Sequence, residues 1–272
     1  MHLRRVTLAY SPCPNDTYVF GALAQGRVHA TNLAFDIDLM DIDALNRSAQ
    51  AGRYDVIKVS CNTGFNLPDY SLLDAGAALG FACGPMLLSR KPRTVADLSG
   101  CRVAFPGEQT TAFLLYRLLG LPDQQHFFIP YDQIVNRVAA GEFDCGVIIH
   151  ESRFTFSDAG LHKVIDFGSW WELETGLPLP LGCVMIRRSL GQELKATVES
   201  LIRKSLLDAQ SRDHPVDEYV RVHAQEMDEQ VVRSHIQLYV NRFTRSLGEV
   251  GYRALARLQA MAADQGVAEA VI

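Results

Sequence analysis

Cys145-Gly146-Val147-Ile148-Ile149-His150-Glu151-Ser152 runs through five uncharged residues to a histidine, just after Gly141-Glu142-Phe143-Asp144. A short apolar run closed by turn residues fits a strand buried on both faces, as in a parallel sheet. Ligands of open α/β sheets sit beyond the carboxyl ends of strands. His150 stands at such an end, and histidine is the side chain that titrates near neutral pH. It is the first candidate for chemistry. A histidine hydrogen-bonded in the core or at a sheet edge is the alternative that the run alone leaves open.

The same construction occurs earlier. Gly52-Arg53-Tyr54-Asp55-Val56-Ile57-Lys58-Val59-Ser60 repeats the Gly-x-aromatic-Asp opening and runs into a β-rich stretch with a polar end. Each copy follows a helical stretch, 42–51 in the first and 133–140 in the second. Gly141 follows Gly52 by 89 residues, too long for a solenoid period. We read two similar lobes, each sending a strand end toward a shared cleft, with Lys58 and Ser60 facing His150 across it. Chance similarity between two helix-turn-strand connections is the competing explanation.

Composition narrows the class. The 272 residues are 48% hydrophobic and 21% charged, ordinary for a globular chain able to bury most of its apolar surface. A net charge of −5 and a pI near 5.9 argue against nucleic acid as a partner, which usually demands a basic face. No apolar run approaches the length of a membrane helix. Met1-His2-Leu3-Arg4-Arg5-Val6 goes straight into strand-like sequence without the apolar core of a secretory signal, so a cytoplasmic protein is expected. Cys13, Cys61, Cys83, Cys101, Cys145 and Cys183 form no C-x-x-C pair, and the histidines show no H-x-H or H-x-x-x-H spacing. Reduced thiols and no metal or cofactor are the expectation.

Along the chain, 3–10 reads as a strand, 11–17 as a turn, and 18–25 as a helix that the turn's two prolines cannot enter, capped from Asn15, Asp16 or Thr17. Leu33, Phe35, Ile37 and Leu39 alternate with less apolar residues in a second strand, and 56–60 is the third. Apolar runs at 72–79 and 85–89 flank the loop Gly80-Phe81-Ala82-Cys83-Gly84. A helical turn near 94–100 leads to a strand at 101–105, a loop at 106–111, a helix at 112–119, and strands at 127–130 and 164–167. A helix starts near Trp170 and ends by Gly176 and Pro178. From Gly191 the pattern is helical to Gln265, broken at Pro215 and near Gly248. Strands alternating with helices imply parallel α/β lobes. We assign residues 1–100 with 182–272 to a first lobe carrying a C-terminal helical block, and 101–181 to a second.

Two loops, 11–17 and 106–111, join a strand end to a helix start, where unsatisfied amides and the helix dipole favour an anion. Thr110 and Thr111 could add hydroxyls; plain helix capping explains either loop without a ligand. Neither is a phosphate-binding glycine motif. Lys58 in mid-strand must reach solvent, pair with a carboxylate or meet an anionic ligand, because an unpaired buried ammonium is costly. Cys13 between prolines is more readily structural than nucleophilic, and Trp170 and Trp171 more readily packing than a ligand wall.

Four motifs occur in order: Ser11-Pro12-Cys13-Pro14-Asn15-Asp16-Thr17; Thr110-Thr111-Ala112; Ile148-Ile149-His150-Glu151-Ser152-Arg153-Phe154-Thr155; and Thr175-Gly176-Leu177-Pro178-Leu179-Pro180-Leu181-Gly182. Together they closely resemble the 1,4-dihydroxy-6-naphthoate synthase family of the futalosine route to menaquinone. The resemblance covers almost the whole chain and is weakest after Gly266. It implies a two-lobed fold like type II periplasmic binding proteins, used as an enzyme without metal or nucleotide cofactor. It implies the substrate cyclic dehypoxanthine futalosine, cleaved to 1,4-dihydroxy-6-naphthoate with loss of the sugar-derived fragment. The family's proposed proton acceptor falls on His150, and its substrate contacts fall on Lys58, Val59, Ser60, Thr110 and Thr111.

These readings set up a mechanism: neutral His150 removes a proton, with activity falling as pH drops through about 6.5. Lys58 is the expected carboxylate partner, with Arg153 competing, and Glu151 orients His150 only if the chain turns back on itself. The rivals are a non-catalytic two-lobed receptor for a small organic anion, and another enzyme of the same pathway such as a dehydratase. A transcriptional effector domain is a weaker rival, because no DNA-binding helix pair precedes the first strand.

Overall fold

The structure, a computed structural model, describes residues 3–121, 124–212, 216–225 and 228–266; Pro215 and the stretch beyond Gly266 lie outside them. Strand β1 (Arg4–Tyr10) leads into helix α1 (Pro14–Ala24), followed by β2 (Leu33–Leu39), α2 (Ile42–Gln50) and β3 (Val56–Ser60). Strand β1 lies between β2 and β3 and is parallel to both. One helical turn, α3 (Cys61–Gly64), precedes the short strands β4 (Tyr70–Leu72) and β5 (Ala78–Gly80). Helix α1 begins at Pro14, four residues before the sequence places it. A proline at the first helical position loses only an N–H that has no intrahelical partner anyway, and Cys13 rather than Asn15, Asp16 or Thr17 is the capping residue.

The second sheet takes β6 (Met86–Ser89), β7 (Arg102–Phe105), α4 (Thr111–Leu118), β8 (Gln125–Phe128), α5 (Tyr131–Ala139), β9 (Cys145–Ile148), α6 (Ser152–Thr155), β10 (His162–Asp166) and α7 (Phe167–Thr175). Its order is β10-β6-β9-β7-β8. Strand β9 is parallel to β7 and antiparallel to β6, so both its edges are paired, and its residues are buried on both faces, Val147 in one core and Ile148 in another. The division at 100/101 puts β6 with the first lobe, but its pairing with β9 and β10 puts it in the second sheet. The chain therefore crosses between sheets at 81–85. It returns through β11 (Leu179–Arg187), which is antiparallel to β3, β4 and β5 and completes the order β2-β1-β3-β11-β4.

The chain closes with α8 (Gln192–Gln210), α9 (Glu218–His223), α10 (Glu229–Tyr239), α11 (Arg242–Arg245) and α12 (Gly248–Asp264). Leu194, Val198, Leu201 and Ile202 of α8 join Val19, Phe20 and Leu23 of α1 in one core on a face of the first sheet. A second core spans both lobes, from Val59 and Met185 to Val103, Phe113 and Trp171. A third, around Ile134, Val138 and Ile148, covers the outer face of the second sheet. Among the described residues no helix is long and apolar enough to cross a membrane.

The internal repeat has a structural basis. Gly52 and Gly141 both take positive φ, 59° and 80°, just past the ends of α2 and α5. The next amide in each copy reaches back five residues, Arg53 to the Ser48 carbonyl and Glu142 to that of Arg137. That bond and the left-handed glycine define a Schellman stop. Four residues on from the capping alanine, each aspartate accepts an amide of the neighbouring strand: Asp55 from Thr7 in the middle of β1 at 3.0 Å and Asp144 from Arg102 at the start of β7 at 2.9 Å. The repeated letters encode a helix stop and a strand-docking carboxylate.

Candidate active site

The two strand ends that the repeat produces open on one cleft, whose space free of protein atoms, open solvent included, is about 650 Å³. Lys58 and Ser60 line it from β3, Thr110 and Thr111 from the start of α4, Ile149 and His150 from the end of β9. Leu181 and Gly182 of β11, Ser11, Asn15 and Asp16 before and within α1, and His235 and Tyr239 of α10 also contribute to the wall.

The first-lobe side is a closed polar network. Lys58 is only 4% exposed, and its ammonium donates to Asp16 Oδ1 at 2.7 Å and to the Gly76 carbonyl at 2.8 Å. Asp16 also accepts from Ser11 Oγ at 2.7 Å and from Asn15 Nδ2 at 2.9 Å. Of the fates open to Lys58, pairing with a carboxylate is the one realised; two of its three protons are committed and its side chain still borders the cleft. Such a buried pair persists because further hydrogen bonds compensate for its lost hydration. Asn46 receives the Ser60 amide on its Oδ1 at 2.9 Å and donates its own NH₂ to Ser60 Oγ at 3.0 Å. The Ser60 hydroxyl thus keeps its proton for another acceptor. Val59 points the other way, fully buried in the core shared by the lobes.

The second-lobe side is built differently. His150 follows the end of β9 by two residues and has φ +58°, one of two non-glycine residues with positive φ among those described. This left-handed conformation is strained for a side-chain-bearing residue and persists only when its surroundings hold it. The ring lies beside Tyr131 at 4.8 Å in an edge-to-face contact and 6.2 Å from the ring of His235. Its Nδ1 is 3.4 Å from Cys13 Sγ. Burial, the largest cause, lowers the His150 pKa to about 4, opposed by Asp16 and Asp41 and assisted slightly by Lys58. The imidazole is neutral at pH 7, which is the form a general base requires. Burial also pushes the Cys13 thiol well up, reinforced by Glu151. The pair is thiol and imidazole rather than thiolate and imidazolium, so geometry that brings Cys13 to a histidine does not make it a nucleophile.

The threonines are shared between folding and the cleft. Thr110 caps α4, accepting from the Phe113 amide at 3.2 Å while donating to the Gly107 carbonyl at 2.7 Å. The Thr111 hydroxyl donates to the Leu181 carbonyl at 2.7 Å, tying α4 to β11 of the other sheet. Their hydroxyl protons are used within the protein, so what they can offer a ligand is the amide-bearing start of a helix, which favours an anion.

Several expectations change on inspection. Arg153 does not line the cleft: its guanidinium donates to the carbonyls of Gly84 at 2.9 Å and Ala82 at 3.3 Å and pairs with Asp166 at 2.7 Å. It grips the 81–85 crossover instead of a ligand. Trp171, by contrast, has the packing role expected of it: it is fully buried and donates to the Pro178 carbonyl at 3.1 Å. The C-terminal block does more than brace the lobes, since α10 delivers His235 and Tyr239 to the cleft. The signal was present as Val232, His235, Ile236 and Tyr239 at three- and four-residue spacing, the buried face of α10. It reads as core because only the fold shows that this face ends at a cavity. Among the described residues no group of three or more His, Cys, Asp or Glu side chains is arranged to hold a metal ion.

With this geometry in place, comparisons with known proteins fix the family. Residues 6–264 match the family model described as menaquinone biosynthesis. The 1,4-dihydroxy-6-naphthoate synthase of Streptomyces coelicolor is 44% identical over 270 residues, covering 97% of this chain and 95% of that protein. That of Thermus thermophilus is 42% identical over 271 residues, covering 98% and 97%. A crystal structure from Archaeoglobus fulgidus superposes with a TM-score of 0.90 at 32% identity, covering 97% and 98% of the two chains. The alkanesulfonate-binding protein of Xanthomonas axonopodis pv. citri superposes with a TM-score of 0.74 at 15% identity, covering 100% and 97%; that likeness shows the periplasmic-binding-protein fold alone. Near-complete coverage by close relatives of one name places this chain in the 1,4-dihydroxy-6-naphthoate synthase family of menaquinone-biosynthesis enzymes.

Proposed function

We propose that the cleft binds cyclic dehypoxanthine futalosine and cleaves it to 1,4-dihydroxy-6-naphthoate in the cytosol, with neutral His150 as the general base. The observation that carries this reading is His150 itself: a strained, cleft-facing imidazole, kept neutral, opposite the ordered network around Lys58. Proton abstraction by His150 starts carbon–carbon cleavage, and general base catalysis contributes about 10²- to 10⁴-fold. Positioning of the substrate by the surrounding wall supplies a further share. The remaining ammonium proton of Lys58, the Ser60 hydroxyl, and the start of α4 at Thr110 and Thr111 receive the substrate's carboxylate and other acceptors. Val59 acts only by placing Lys58 and Ser60 on the cleft face of β3.

Product formation by the native protein, compared with a folded His150→Ala variant that still binds substrate by calorimetry, tests both parts. Naphthoate from the native protein with at least about a 10²-fold loss in the variant supports the reading. Equal turnover by both removes the base, and tight binding without turnover by the native protein favours a receptor for a small organic anion.

A further inference from the structure

Donor and acceptor roles along the buried network are fixed without reference to any ligand. Asp16 accepts from Ser11 and from the Lys58 ammonium, so both its oxygens act as acceptors. Asn15 therefore presents its NH₂ to Asp16, at 2.9 Å; the flipped amide would set oxygen against oxygen. That leaves Asn15 Oδ1 facing His235 Nε2 at 2.9 Å. An amide oxygen can only accept, so Nε2 of His235 carries the proton. In the neutral ring the other nitrogen, Nδ1, must then hold a lone pair.

That lone pair has no partner. His235 is 1% exposed, and its Nδ1 is one of four buried side-chain N or O atoms without a hydrogen-bond partner among the described residues. Burial, aided by His150, holds the pKa of His235 well below its ordinary value, so protonation does not resolve the deficit. The residue lines the same cleft as His150, its ring set by Tyr239 at 4.6 Å. Buried acceptors are seldom left unsatisfied without a reason. We propose that Nδ1 of His235 accepts a hydrogen bond from a hydroxyl of the substrate, making His235 a specificity-determining residue. A carboxylate cannot satisfy a lone pair, so this position selects hydroxyl-bearing ligands, while the ammonium and helix-start side of the cleft takes the anion. The inference rests on the proposed substrate for its chemistry, and on the protein alone for its tautomer.

The test has two arms. Nitrogen-15 shifts of the His235 ring in the ligand-free native protein are expected to show protonated Nε2 and unprotonated Nδ1; the opposite tautomer overturns the proposal whether or not the substrate is right. In the second arm, His235→Gln keeps an amide N–H for Asn15 but offers no acceptor at the Nδ1 position, and His235→Asn offers one there. Turnover is measured on cyclic dehypoxanthine futalosine and on analogues with single sugar-derived hydroxyls replaced by hydrogen. His235→Gln is expected to raise KM by about tenfold with little change in kcat, the range that one lost hydrogen bond accounts for. The native protein is expected to discriminate against one deoxy analogue, and His235→Gln to lose that discrimination, with partial recovery in His235→Asn. Native KM in a folded His235→Gln variant, or unchanged discrimination, overturns the proposal. Failure of the native protein to turn over the parent compound would instead overturn the proposed reaction and leave the tautomer result standing.

Discussion

The two strand ends that meet in the cleft arise from the same Gly-x-aromatic-Asp construction, yet they are finished in opposite ways. At the end of β3, Lys58 is bound to Asp16, which also accepts from Ser11 and Asn15, and Ser60 is held by Asn46. At the end of β9, His150 sits in left-handed backbone with a thiol and two aromatic rings for company. The first end has its polar groups ordered before a ligand arrives; the second holds a reactive group whose conformation costs stability. In the proposed reading the base sits on the second lobe, while recognition draws on both lobes, through Lys58 and Ser60 of β3 and through the start of α4.

The largest expected effect breaks the first end. Asp16→Ala leaves the Lys58 ammonium buried without its carboxylate, and such losses cost about 3–5 kcal/mol. Chemical denaturation should register that loss, and the double variant Asp16→Leu with Lys58→Met should recover much of it while remaining unable to bind substrate. Recovery of binding in the double variant would show that the charged pair is not part of recognition.

Acidity addresses the second end. Because the His150 pKa lies near 4 rather than near its ordinary value of about 6.5, the acid limb of kcat/KM should fall close to pH 4. A limb near pH 6.5 would mean that the ring is not held neutral. Stability follows from the same displacement. As pH falls below about 6.5 the unfolded chain takes up the proton first, so stability is full above that pH and declines toward pH 4. Melting temperatures across this window, for the native protein and for His150→Gln, measure the share due to this ring.

A smaller effect isolates the strain. His150→Gly should abolish turnover yet gain about 1 kcal/mol, since glycine enters left-handed backbone without the Cβ penalty; a rise of a few degrees in Tm would report it. A fall in Tm would show that ring contacts outweigh the backbone cost. The smallest change is Cys13→Ser, expected to leave kcat within about threefold because the thiol is not ionised. A loss comparable to that of His150→Ala would make Cys13 a participant.

How much of this was legible follows the range of the interactions. The β9 run, its closing histidine and the repeated helix stop are local patterns, and they located both strand ends. The partner of Lys58 lies 42 residues away and that of Asn15 lies 220 residues away, so no local reading could find either. The sheet that β6 joins is beyond a local reading for the same reason: it is decided by β9 and β10, distant in sequence. His235 was invisible because an amphipathic stripe does not reveal whether its face meets core or cavity. Thr110 and Thr111 were found by motif, but their committed hydroxyl protons belong to the fold.

The grip of Arg153 on the 81–85 crossover has a mechanical meaning. Its two carbonyl bonds join the segment that links the sheets to the helix beginning two residues after His150, and Asp166 anchors the same guanidinium to the second lobe. Nearby, Gly168 lies so close to the Cys83 carbonyl that a Cβ would come within 1.8 Å of its oxygen. The segment between the sheets is thereby riveted to the second lobe beside the turn that presents His150, so the crossover and the histidine share one anchorage.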